Sequence, residues 1–126
     1  MRYMTIVTGP EGAVPPKALW DAIDKLGIEG TKDGSMLGFG GLTPSGDGVR
    51  VRISKGKLVV TDGPFTEAKE VIGGFAIFEY ASKAAALEQA RTFMELHIRL
   101  WPGWEGTCEV RAMQAFEYTA GGAKAL

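Results

Sequence analysis

Apolar positions along this chain follow two rhythms, one of period two and one near 3.6, and the switches between them outline its elements. Tyr3 to Thr8 is a short apolar run stopped by Gly9-Pro10, and it reads as a first strand. A helix is expected next. Pro16 suits a first turn, Leu19, Ala22, Ile23 and Leu26 recur on one face, and Gly27 stands where a C-cap belongs. Met36 to Leu42 reads as a short glycine-rich strand with a bulge. Val49, Val51 and Ile53 then alternate with Arg50, Arg52 and Ser54, the pattern of a strand with one buried face. Lys55-Gly56-Lys57 turns the chain, and Leu58 to Thr61 returns as the partner strand.

Val71 to Tyr80 forms a further strand, bulky and β-branched except at Gly73-Gly74. A long helix is expected from Lys83 to Leu100, with Leu87, Ala90, Met94, Ile98 and Trp101 on one stripe. Glu88, Arg91, Glu95 and Arg99 lie opposite, at spacings that permit ion pairs of about 0.2–0.5 kcal/mol each, and they read as a solvated face. Pro102-Gly103 stops this helix, and Cys108 to Ala115 supplies a closing strand.

The order β-α-β-β-β-β-α-β is an α+β, ferredoxin-like βαβ–βαβ plan with an inserted β-hairpin, spanning 1–126 as one domain. Two helices on one face of an antiparallel sheet leave the other face uncovered, and Phe75, Ile77, Phe78 and Tyr80 are too bulky for that. A second copy is the economical cover, so a homodimer is expected with Phe75, Phe78 or Tyr80 at or near its interface.

Composition narrows the function classes. With 45% hydrophobic and 23% charged residues the chain is an ordinary folded one rather than a disordered one. A net charge of −1 gives no general attraction for a polyanion. The one basic patch, Arg50, Arg52, Lys55 and Lys57, has no interleaved aromatic platform and suits the protection of an exposed strand edge, so no nucleic-acid partner is expected. One cysteine, Cys108, excludes an intrachain disulfide, and one histidine beside it excludes a zinc site of ordinary composition. No nucleotide-binding loop, HExxH or CxxC is present, so no cofactor and no metal are expected. No apolar run approaches the roughly 18 residues that cross a bilayer, and the N-terminal one is too interrupted for a signal peptide. A cytoplasmic location without a membrane partner is the expectation.

The most specific stretch is Asp62-Gly63-Pro64-Phe65-Thr66-Glu67-Ala68-Lys69-Glu70, followed by Val71-Ile72-Gly73-Gly74-Phe75. It resembles the signature of the DGPF branch of the YciI-like proteins, and Trp101 to Arg111 is a weaker second match to a subset of them. The resemblance implies ferredoxin-like protomers paired into a dimeric α+β barrel. It also implies a gene neighbourhood with sigma factors of the extracytoplasmic type, and hence a regulatory protein partner. The wider family is associated with a His–Asp pair whose histidine lies early in the chain. No histidine precedes His97 here, so that pair is not carried over.

Two residues are candidates for catalysis. Asp62 either shapes an Asp-Gly-Pro turn by accepting backbone N–H groups or serves as a general base beside the sheet. His97, the only histidine, either looks into a cleft or caps the helix end. Asp62, Glu67 and Glu70 could hold Mg²⁺, although their spacing does not require it. Phe65, Phe75, Trp101 and Trp104 are candidates to line a site for a small apolar or aromatic ligand, the two tryptophans as a lid or as packing. Two functions follow: a small-molecule enzyme doing proton-transfer chemistry of lyase, isomerase or dehalogenase type, or a non-catalytic metabolite-binding or regulatory protein.

Overall fold

The computed structural model describes residues 1–65 and 70–114. Glu67 and Ala115 lie outside the described residues, and with Glu67 goes the Asp62–Glu67–Glu70 grouping. The elements are β1 (Arg2–Pro10), α1 (Lys17–Asp33), β2 (Met36–Gly41), a 3₁₀ turn (Ser45–Asp47), β3 (Val49–Ser54), β4 (Lys57–Asp62), β5 (Glu70–Glu79), α2 (Lys83–Leu100) and β6 (Thr107–Ala112). The main sheet runs β2-β5-β1-β6 with every neighbour antiparallel, the arrangement of a ferredoxin-like α+β fold.

The register sorts the side chains by face, because residues directly opposite one another in antiparallel strands point the same way. Tyr3 pairs with Phe78 and Thr5 with Ala76 on one face; Met4 pairs with Ile77 and Ile6 with Phe75 on the other. Both helices cover the first face. Met36, opposite Phe78, lies under α1 so closely that a Cβ on Gly30 would come within 3.1 Å of its own Cβ. Tyr3, Phe78, Leu19, Ala86 and Ala90 are buried in that layer. Phe78 is therefore core, not interface, which narrows the expectation for the sheet; Phe75 is the aromatic on the helix-free face. An extra residue in β5 between Gly74, opposite Val7, and Ile72, opposite Thr8, bulges the strand.

Two helix expectations are corrected. α1 does not end at Gly27 but runs through Gly27 and Gly30 to a left-handed Gly34 at φ 80°. The two glycines cost helix stability, about 1 kcal/mol each against alanine, but they let the helix approach Met36. In α2, Ser82 caps the N-terminus by accepting the Ala85 N–H, and the bounds are as expected. Its inward line, however, is Ala86, Ala90 and His97, while Leu87 is 45% and Ile98 79% exposed. The buried line lies about 60° round the helix from the expected stripe, with Ala90 common to both. Alanine lets it sit close to the sheet.

The hairpin turns through Lys55 and Gly56 at φ 52° and 76°, the two-residue form that fits strand twist. Among the described residues β3 and β4 pair only with each other. Val49, Val51, Ile53, Leu58 and Val60 share one face of it and are 59% to 77% exposed. The period-two pattern was legible, but the face it marks is uncovered in the protomer because the hairpin does not join the sheet.

Candidate functional site

Two clusters meet at the end of the sheet where β1 finishes and β5 begins. The first is a clasp around the Asp-Gly-Pro-Phe motif. Glu11, just past β1, accepts hydrogen bonds from the Ser45 backbone N–H and the Ser45 hydroxyl, both at 2.7 Å. Ser45 Oγ in turn accepts from the Phe65 N–H at 3.4 Å, and the Gly63 N–H donates to the Gly48 carbonyl at 2.9 Å. Gly63, joined to Pro64 by a cis peptide bond, lies against the Ser45 carbonyl with no room for a Cβ. Phe65 is half-buried beneath the Arg50 guanidinium, whose carbon stands 4.0 Å above the ring centroid. The motif's glycine and phenylalanine are thus consumed in seating the base of the hairpin.

Asp62 sits outside that clasp. It is exposed at the end of β4, opposite Val49, on the same face as the apolar ridge of the hairpin. Among the described residues its carboxylate accepts no hydrogen bond, so the turn is held by backbone and by Ser45 rather than by the Asp62 side chain. Asp62→Asn is expected to change stability by no more than about 0.5 kcal/mol, checked by chemical denaturation. A larger loss would mean a buried ionic partner.

The second cluster is an aromatic wall at the C-terminal end of α2. His97 is buried at 6% exposure, and its Nδ1 lies 2.9 Å from the Phe93 carbonyl. A carbonyl only accepts, so Nδ1 carries the proton and neutral His97 keeps Nε2 as an acceptor. Its ring lies 4.7 Å from Phe93 and 4.9 Å from Trp104, and Trp104 stacks on Trp101 at 5.3 Å and 14°. The turn that brings the tryptophans together uses Gly103 at φ 85°, with Trp104 N–H donating to the Trp101 carbonyl at 3.1 Å. Trp104 then lies over the end of β1, where a Cβ on Gly9 would approach its ring to 2.9 Å, and against Gly106, where a Cβ would overlap it. Among the described residues no hydrogen bond or ion pair joins His97 to Asp62.

Sequence reasoning missed Glu11, Ser45, Phe93, Gly9 and Gly106. Nothing in a lone Glu-Gly or Pro-Ser-Gly announces a contact across 34 positions; Gly106, two residues after a tryptophan, is the one with a visible cue.

Residues 1–94 match the YCII-related domain, three quarters of the chain. The protein belongs to this family. The match runs from β1 into α2 and ends before Trp101, so the aromatic turn and β6 lie beyond the part of this YCII-related chain that defines its membership. None of the curated proteins matches it significantly. No helix among the described residues is long and apolar enough to cross a membrane.

Elsewhere on the YCII-related domain the chemistry is sparse. A cavity of about 170 Å³ lies at the opposite end of the sheet, lined by Tyr3, Lys83, Val110, Arg111 and Ala112, and includes none of the candidate residues. Burial pushes the Cys108 thiol up from its ordinary range, which keeps it protonated and a poor nucleophile. Among the described residues no three His, Cys, Asp or Glu side chains gather as a metal site would require.

Proposed function

We propose that this YCII-related protein is a homodimer that binds a small apolar or aromatic metabolite against the wall formed by Trp101, Trp104 and His97, without a catalytic Asp62–His97 pair. The observation that carries the reading is the run of ring contacts from Phe93 through His97 and Trp104 to Trp101, tilted at the first two and stacked at the last, in which both tryptophans remain partly exposed. Such a wall offers a flat ring an offset-stacked seat, and Nε2 of His97 offers it one hydrogen-bond acceptor. A soluble, reducing compartment suits the single cysteine, and a protein partner that reads ligand occupancy suits a regulatory role.

A second reading keeps the enzyme: His97, with Nδ1 anchored on the Phe93 carbonyl, presents Nε2 for proton transfer, with Asp62 its partner. One NMR experiment separates the two. Indole added as a probe is expected to shift the Trp104 Nε1–H and His97 ring signals together, and the His97 titration curve is expected to be the same in wild type and Asp62→Asn. Shifts scattered away from this wall would remove the binding site from it. A titration curve moved by Asp62→Asn would favour the acid–base pair.

A further inference from the structure

We propose that the β3–β4 hairpin is an exchanged arm: its apolar ridge of Val49, Val51, Ile53, Leu58 and Val60 seats on the helix-free sheet face of a second copy, around Ile72, and carries Asp62 to the boundary between the two. This rests on the homodimer reading above and specifies how the copies meet.

A two-stranded hairpin alone is marginally stable in water, and among the described residues this one finds no third strand in its own protomer. Its ridge exposes five β-branched or branched apolar side chains at 59% to 77%, roughly 500 Å² in one contiguous patch, at the upper end of what a soluble monomer displays. Two such arms with the surfaces they cover come to about 2,000 Å², the size of a stable protein–protein interface. The receiving face carries Ile72, 48% exposed, beside half-buried Met4, Ile6 and Phe75, with Ile77 already buried among them.

Area and symmetry select a second copy as the occupant: Arg50 and Arg52 lie on the face away from the ridge, so apolar surface is what meets an identical chain, and the exchange closes with two-fold symmetry. A polyanion would meet the arm by Arg50 and Arg52, on the face opposite the ridge, and would leave the apolar surface in water. The clasp of Glu11, Ser45 and Gly63 fixes the base from which the arm leaves, and Asp62 stands at that base on the ridge side.

Sedimentation equilibrium of the full chain tests this in three proteins. Wild type is expected at twice the 13.5 kDa chain mass, while Val51→Glu/Val60→Glu and Ile72→Glu are each expected to weaken association by about a hundredfold or more, since each buries a charge against apolar surface. Hydrogen exchange on wild type needs no variant: protection of β3 and β4 amides is expected to rise with protein concentration, following the monomer–dimer equilibrium. A wild-type monomer at micromolar concentration overturns both the dimer and the arm. A wild-type dimer that the ridge variant leaves intact, with hairpin protection independent of concentration, overturns the arm while the dimer stands. Dissociation by the ridge variant but not by Ile72→Glu overturns the assigned receiving face.

Discussion

Gly63→Ala is expected to destabilise the protein by about 2–3 kcal/mol, a fall in Tm on the order of 10 °C. A Cβ at this position would overlap the Ser45 carbonyl, and the obstacle is backbone rather than the end of a flexible side chain. Relief requires Gly63 or the 3₁₀ turn at Ser45–Asp47 to move, and either motion pulls on the Glu11–Ser45 and Phe65–Ser45 hydrogen bonds. The hairpin should loosen at its base, seen as lost amide protection in β3 and β4. Gly46→Ala in the same turn is the control: its Cβ meets nothing within 4 Å, and its cost should stay within about 0.5 kcal/mol. Equal melting of the two variants would show that the motif's glycine is not needed for the clasp.

Gly106→Ala should be similarly damaging, for a different reason. Its Cβ would fall inside the Trp104 ring and 2.7 Å from the Thr8 carbonyl, so the ring must leave its seat over β1. Trp104→Ala removes the ring outright and is expected to cost about 3 kcal/mol, the low end for a large aromatic because Trp104 is half-buried. The two changes act on one contact, so the double variant should lose clearly less than the sum of the single losses. Near-UV circular dichroism, which senses the stacked Trp101–Trp104 pair, should collapse alike in both single variants. Strict additivity in denaturation would separate Gly106 from the aromatic wall.

The candidate site was legible in part, and the pattern of misses is instructive. The Asp-Gly-Pro-Phe stretch stood out as a turn with chemistry attached. Its glycine and phenylalanine, rather than its aspartate, hold that turn. His97, which the sequence allows either to look into a cleft or to cap the helix end, lies on α2's inward line, because Ala86 and Ala90 bring the helix closer than Leu87 and Ile98 would. The tryptophans were read as lid or packing. Trp104 lies over Gly9 and beside the His97 ring, and Trp101 stacks on Trp104.

Local features follow from the chain's own residue pattern. Ser82 and Pro102-Gly103 bound α2, Lys55-Gly56 makes the hairpin turn, and the apolar rhythm sets the order of elements from which the ferredoxin-like sheet follows. These depend on neighbours within a few residues, whose preferences are written in side-chain shape and backbone freedom. Which face of each element is covered depends on the packing of distant segments. The alternation in β3 and β4 predicts an apolar face but not that the hairpin leaves the sheet, and Gly27 reads as a helix end until Met36 is seen beneath it. Glu11 meets Ser45, and Gly9 meets Trp104, because the fold brings distant segments to one end of β1. Periodicity records that a side chain is apolar; what it packs against is fixed by contacts between segments far apart in the chain.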